Sequence, residues 1–242
     1  MQVMTEDGRI ARLRTNLEGI RQRISEACRR ASRAPSEVRV VAVTKYVDAA
    51  TAAHLHAAGC HDLGESRPQA LQVKAAALAD LHPLPRWHLI GHLQRNKVRR
   101  TMPLVALMHS LDSRRLLEAL EAAGREAGRR WAALVEVNLA DDPARTGARP
   151  DEAAALMAAA QGLAHVEIRG LMGMARLPDG QPAAARADFA ALRELRDRLR
   201  VDLPPGSLPE LSMGMSGDFE EAILEGSTLV RIGSALFEGL EA

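Results

Sequence analysis

Three of the 32 basic residues in this 242-residue chain are lysines, Lys45, Lys74 and Lys97, and the other 29 are arginines. The distinction is chemical. A guanidinium keeps its proton and cannot act as an amine nucleophile, whereas a lysine amine can condense with a carbonyl to form a Schiff base. Lys45 stands directly after the β-rich run VRVVAVT (38–44). Two further segments, SMGMSGDF (212–219) and RIGS (231–234), combine Ser212, Ser216 and Ser234 with Gly214, Gly217 and Gly233. Hydroxyls beside glycines let backbone N–H groups approach a ligand, and a helix beginning near Asp218 offers its N-terminus, so the pair reads as an anion site. Asp218 itself is expected to point away from an anion.

These residues need elements to hold them. Short apolar runs recur at 38–44, 61–64, 87–91, 105–110, 131–139, 166–173, 210–214 and 228–233, giving eight predicted strands. Between them lie amphipathic or Ala-rich stretches at 48–59, 66–81, 94–101, 113–128, 151–163, 183–200 and 218–226, with a short closing one from 234. Strands alternating with helices pair in parallel, and eight of them predict an α/β fold, a closed (β/α)8 TIM barrel. An open doubly wound sheet would carry a nucleotide fingerprint, and neither GxGxxG nor GxxxxGK[ST] occurs. Ahead of the barrel, Ile10, Leu13, Leu17, Ile20 and Ile24 recur at helical spacing and predict an extra N-terminal helix over 9–33, with eight arginines against two glutamates on a solvated outer face. The whole of 1–242 is expected to form one domain, with the barrel at 38–240.

In a barrel of this kind the carboxyl ends of the strands form the active face. Lys45, Glu65, His92, Ser110, Asp112, Asn138, Met172 and Met174 fall there, as do the two serine–glycine segments that follow strands seven and eight. A reactive lysine opposite a phosphate site suggests pyridoxal 5′-phosphate, whose aldehyde and phosphate those two groups recognise. Arg231, at the start of the eighth-strand loop, would then face the pyridine nitrogen and leave it unprotonated, because a guanidinium does not readily release its proton.

VTKY with LGESRPQ, WHLIGHLQRNK, MHSLD, GLMGM, ELSMGMSGDF and VRIGSALF, in this order and spacing, closely resemble the YggS/PROSC family of pyridoxal phosphate-binding proteins over residues 9–239. The resemblance implies a single barrel of the fold type III class, like the N-terminal domain of alanine racemase. It implies an internal aldimine on Lys45, phosphate held by Ser216, Gly233 and Ser234, and Arg231 at the ring nitrogen. The implied role is intracellular cofactor homeostasis, with apo forms of pyridoxal phosphate-dependent enzymes as partners. Ser66 stands where the family usually has asparagine, so a side-chain contact to the cofactor is shortened there or replaced by water. Gly217 and Asp218 stand where it commonly has two acidic residues.

Other function classes fit less well. A racemase-like pyridoxal enzyme needs a base on each face of the substrate carbon. The sole tyrosine, Tyr46, adjoins Lys45 and is expected to diverge from it, which makes it a poor second base. An aldolase-type use of Lys45 lacks an evident acid/base pair. His54, His56, His88 and His92 lack metal-ligand spacing, so no metal is expected. Lys74 is expected to be a solvated helix charge, Lys97 to lie near the barrel mouth, and Trp87 and Trp131 to be core. A near-neutral net charge of +1 argues against nucleic acid as a partner, and the absence of an apolar run of about 18 residues argues against a membrane. The start of the sequence carries no apolar signal stretch, and Cys28 and Cys60 form no CxxC pair, so a reducing, cytoplasmic compartment is expected; a monomer is expected as well.

Overall fold

Eight parallel strands close into a barrel in sequence order, β1 Arg39–Val43, β2 Asp62–Glu65, β3 Arg86–Leu89, β4 Val105–Leu111, β5 Trp131–Val137, β6 Val166–Gly173, β7 Glu210–Ser212 and β8 Leu229–Ile232. The molecule is a computed structural model that describes residues 5–140, 145–176 and 182–240. Closure comes from β1 against β8, with Val41 beside Arg231 and Ala42 beside Ile232. Each apolar run of the sequence forms its strand, including the short second and seventh. The helices are α1 Glu6–Arg30, α2 Ala49–Ala57, α3 Pro68–Ala77, α4 Val98–Thr101, α5 Arg114–Ala127, α6 Pro150–Ala160, α7 Pro182–Arg200 and α8 Phe219–Leu224.

Helix α1 begins three residues before the predicted 9, because the Thr5 hydroxyl accepts the Gly8 N–H at 3.2 Å and Glu6 and Asp7 favour the positive end of the helix. Its apolar stripe, Leu13, Leu17, Ile20 and Ile24, is buried as its spacing predicts. The basic face is less free than expected. Arg23 pairs with Glu220 of α8 at 2.6 Å, and Arg33 donates to the Ile223 carbonyl at 3.0 Å, so arginines strap the helix to the barrel.

Strand register sorts the side chains into two faces. Val41 and Arg231, Gly64 and His88, His88 and Leu107, Glu136 and Met172, and Met172 and Ser212 are neighbours on adjacent strands and face the barrel interior. One layer is apolar and made of Val41, Leu107, Leu134, Met172 and Leu229. The rest of the interior is unusually polar for a small parallel barrel, where branched aliphatic side chains usually fill the space. Outward-facing residues, with Trp87 and Trp131 among them, join the helices in the main core.

Lys74 departs from its predicted solvated position. It is buried, its ammonium is paired with the Glu65 carboxylate, and it also donates to the Thr44 carbonyl at 2.7 Å. Glu65 ends β2 on the outer face and is fully buried beneath α3, which offers Lys74 one turn from its end. Helical periodicity in an Ala-rich stretch does not reveal a carboxylate on the neighbouring strand. Replacing Lys74 by Met leaves that carboxylate buried without its cation, and a loss of about 3–5 kcal/mol is expected in urea unfolding. The double change Lys74→Met with Glu65→Leu should recover most of it, since the uncompensated charge is then gone.

Candidate functional site

Lys45 lies two residues beyond β1 and is half-buried. The backbone leading to it is fixed from the outer side: the Thr44 N–H donates to the Gly64 carbonyl at 2.9 Å, the Thr44 hydroxyl donates to Glu65 at 2.9 Å, and Lys74 holds the Thr44 carbonyl. Two of the three lysines therefore act on one segment, one by anchoring it and one by projecting from it. Tyr46 is 89% exposed, and the Lys45 ammonium lies 4.8 Å from its ring centroid, a cation–π contact where divergence was expected. The turn that follows β1 relaxes strand alternation, which allows the two neighbours to touch.

The loops after β7 and β8 meet at Ser216. Its hydroxyl oxygen accepts the N–H of Gly233 at 3.2 Å and of Ala235 at 3.5 Å, so it stitches one loop to the other instead of capping α8. Gly233 lies beside β1, where an added Cβ would be 3.6 Å from Val43, which places this pair of loops next to the segment carrying Lys45. Gly214 has φ +93, and a Cβ there would sit 2.8 Å from the Phe219 backbone, so only glycine lets the loop fold onto α8. Gly217 and Ser234 are exposed. Asp218 turns inward, accepts the Met215 N–H at 2.6 Å and closes its own loop; burial pushes its carboxyl up. Ser66 follows β2 and is half-buried, its backbone packed so closely on Gly91 that a Cβ there would lie 2.3 Å from the Ser66 carbonyl oxygen.

Two predicted positions need correction. Ser212 does not belong to the loop predicted to hold an anion: it ends β7, is fully buried and faces the interior. Arg231 is inside β8 and not at the start of its loop, with 4% of its surface exposed. It donates to the Ser212 hydroxyl oxygen at 2.7 Å and to the Gly173 carbonyl at 3.1 Å. Burial lowers its pKa to about 10, while Asp218 and Glu136 work the other way. Glu136, on β5, accepts from the Thr146 hydroxyl at 2.6 Å, and burial pushes its carboxyl up.

Strand-end reasoning also missed the residues beneath Arg231. His109 lies one position before Ser110 and is fully buried, with one ring nitrogen 2.9 Å from the Ser212 hydroxyl and the other 2.9 Å from the His88 ring. His88 in turn meets Asp62 at 2.9 Å, and Asp62 is paired with Arg86. The sequence signal was present in the even spacing of Asp62 with Gly64, Arg86 with His88 and Leu107 with His109, which puts each pair on one face of its strand. Of the other strand-end residues, Ser110 donates to the Gly91 carbonyl at 2.7 Å and His92 pairs with Asp112 at 3.1 Å. Glu65 points outward, away from the mouth. His54 and His56 diverge, one toward Glu6 and the other onto the Pro83 carbonyl.

Residues 15–241 match the family model described as alanine racemase, N-terminal domain. A protein of Pseudomonas aeruginosa named pyridoxal phosphate homeostasis protein is 40% identical over 92% of this chain and 93% of its own length. One of the same name from Aquifex aeolicus is 37% identical over 91% of this chain and 95% of its own length. The solved structure of PipY from Synechococcus elongatus with pyridoxal phosphate bound superposes with a TM-score of 0.82 at 36% identity, covering 93% of this chain and 99% of that one. Alanine racemase of Corynebacterium glutamicum shares the fold, with a TM-score of 0.69 at 15% identity over 96% of this chain and 63% of that one.

Burial, then the neighbouring His88, Arg231 and Arg39, hold the His109 ring well below the ordinary histidine value of 6.5. Unfolding releases it to bind a proton in acid, so its share of stability is complete above pH 6.5 and falls as pH drops below it. The expected slope from this residue is about 1.4 kcal/mol per pH unit. Denaturant unfolding between pH 7 and pH 5 should show a shallower decline in a His109→Gln variant than in the parent chain.

Proposed function

The chain belongs to the alanine racemase N-terminal domain family and, within it, to the pyridoxal phosphate homeostasis proteins, and on that premise we propose that it binds pyridoxal 5′-phosphate through the Lys45 amine and serves intracellular homeostasis of that cofactor. The observation that carries the reading is the gathering at one end of the barrel of a half-buried amine, a buried guanidinium and two loops, one of which offers the Gly233 and Ala235 amides to the Ser216 hydroxyl of the other. These residues fit the group. When bound, it supplies an aldehyde, a phosphate and a ring nitrogen, each with distinct needs.

Lys45 provides the amine for the aldehyde. Ser216 and Ser234 provide hydroxyl donors for the phosphate, Gly233 provides its N–H once the phosphate takes the place of the Ser216 oxygen, and Ser66 borders the site just beyond β2. Arg231 donates toward the ring nitrogen. A guanidinium carries five N–H donors, and the bonds to Ser212 and Gly173 use one each. Even lowered to about 10, its pKa keeps it protonated at neutral pH, so it holds the ring nitrogen without a proton and limits electron withdrawal from the reacting carbon.

A holding protein that releases the cofactor to apo-enzymes fits this restraint better than a turnover enzyme does. The sole tyrosine is exposed beside Lys45, so it supplies no base on the opposite face of a substrate. The second reading, a racemase-like activity, rests on the fold shared with alanine racemases. We read the chain as a cytoplasmic monomer without nucleic-acid or membrane partners; among the described residues no helix is long and apolar enough to cross a membrane.

Chain purified with pyridoxal 5′-phosphate should be yellow, and borohydride reduction followed by peptide mapping should place the label on Lys45. A label confined to Lys74 or Lys97 would sink the assignment. Arg231→Glu should shift the visible band by allowing the ring nitrogen to keep a proton; an unchanged spectrum would remove Arg231 from the site. Exchange of the α-hydrogen of L-alanine in D2O at enzyme-like rates would replace the carrier reading by the racemase one.

A further inference from the structure

The interior of the barrel carries an unbroken file of polar side chains from its amino-terminal end to Arg231. Asp62 opens β2 and is bonded to Arg86, whose side chain is 57% exposed, so this end of the file reaches solvent. From Asp62 the contacts run to His88 Nε2 at 2.9 Å, from His88 Nδ1 to His109 Nε2 at 2.9 Å, from His109 Nδ1 to Ser212 Oγ at 2.9 Å, and from Ser212 Oγ to Arg231 Nη1 at 2.7 Å. The His88, His109 and Ser212 side chains are each at least 98% buried.

Hydrogen-bond chemistry gives this file a direction. An ionised carboxylate only accepts, so the His88 nitrogen facing Asp62 must carry a hydrogen. In a neutral ring the other nitrogen of His88 then accepts, which obliges His109 to donate from Nε2 and to accept at Nδ1. Among the described residues Ser212 is the one donor in contact with that nitrogen, so its hydroxyl hydrogen turns toward His109. Its lone pairs are then left for Arg231, which can only donate. Each bond polarises the next in a dry, low-dielectric interior. Reversing the first tautomer reverses every later one and leaves Ser212 accepting from two donors at once.

We propose that Asp62, at the opposite end of the barrel from Lys45, is a positioning residue for Arg231, acting through His88, His109 and Ser212 to fix the guanidinium that meets the cofactor ring. The proposal rests on the cofactor reading for its consequence, but its hydrogen-bond pattern belongs to the protein alone. The hydrophobic layer of Val41, Leu107, Leu134, Met172 and Leu229 shares the same interior and packs beside the file.

The test is the tautomeric state of the two histidines in the full chain labelled with ¹⁵N-histidine, recorded at pH 8 by long-range ¹H–¹⁵N correlation, first without cofactor and then with pyridoxal 5′-phosphate. Both rings are expected to carry hydrogen on Nε2 and none on Nδ1. A hydrogen on Nδ1 of His109 in the parent chain overturns the proposal, whether or not any variant folds. In Asp62→Asn the ring-nitrogen signals of His109 should move although His109 does not touch residue 62, and the visible band of the bound cofactor should shift in the same direction as in Ser212→Ala. Unmoved His109 signals, or a cofactor band identical to that of the parent, refute it. Failure of borohydride to label Lys45 would remove the cofactor reading and leave the cofactor-free tautomers to be judged on their own.

Discussion

A guanidinium buried within a closed parallel barrel is the constraint from which most of this structure follows. Arg231 has lost its water and cannot shed its proton, so the cost of several kcal/mol that attends a buried ion has to be offset by fixed acceptors. Ser212 and the Gly173 carbonyl accept from it directly, and Glu136 and Asp218 supply negative field nearby. Ser212 needs its own partner in turn, which brings in His109, then His88, and finally Asp62. The polar interior is a chain of obligations that begins with one residue on β8.

The outer surface of the barrel carries a smaller constraint of the same kind. Glu65 is buried outside the sheet and needs Lys74, and Lys74 holds the carbonyl just before Lys45. The residue proposed to bind the cofactor aldehyde thus projects from a backbone anchored by a buried ion pair on the other face. The loops after β7 and β8 are tied together by Ser216 and packed down by Gly214. Anchored strands and loops suit the proposed site, which presents an amine, a cation and hydroxyl and amide donors in one arrangement.

Much of this was legible from residues alone. Alternation of apolar runs with amphipathic stretches located all eight strands, because a parallel barrel buries both faces of each strand and so writes a short apolar run into the sequence. The stripe from Leu13 to Ile24 announced α1, and the glycines and serines of the last two loops announced their own conformational freedom. Lys45 was conspicuous because a chain that otherwise uses arginine has an amine at a strand end. Pairwise partners are not legible in the same way. Lys74 looked like a solvated charge because Glu65 is nine residues away and on another element. Ser212 looked like part of an anion loop because its neighbours in sequence are glycine-rich, whereas its neighbours in space are Arg231 and His109.

The sequence by itself determined the class of fold and the order of its elements, and it singled out Lys45 and the two serine–glycine loops as candidates, since each is encoded by local pattern and residue type. The tertiary structure alone decided which way each side chain faces and what it touches. It turned Asp62, His88, His109, Ser212 and Arg231 into one connected file, although the first and last lie on β2 and β8, far apart in sequence. The physical reason is that closing a barrel joins β8 to β1 and sets inward-facing residues of distant strands within hydrogen-bonding reach, a proximity that no local spacing contains.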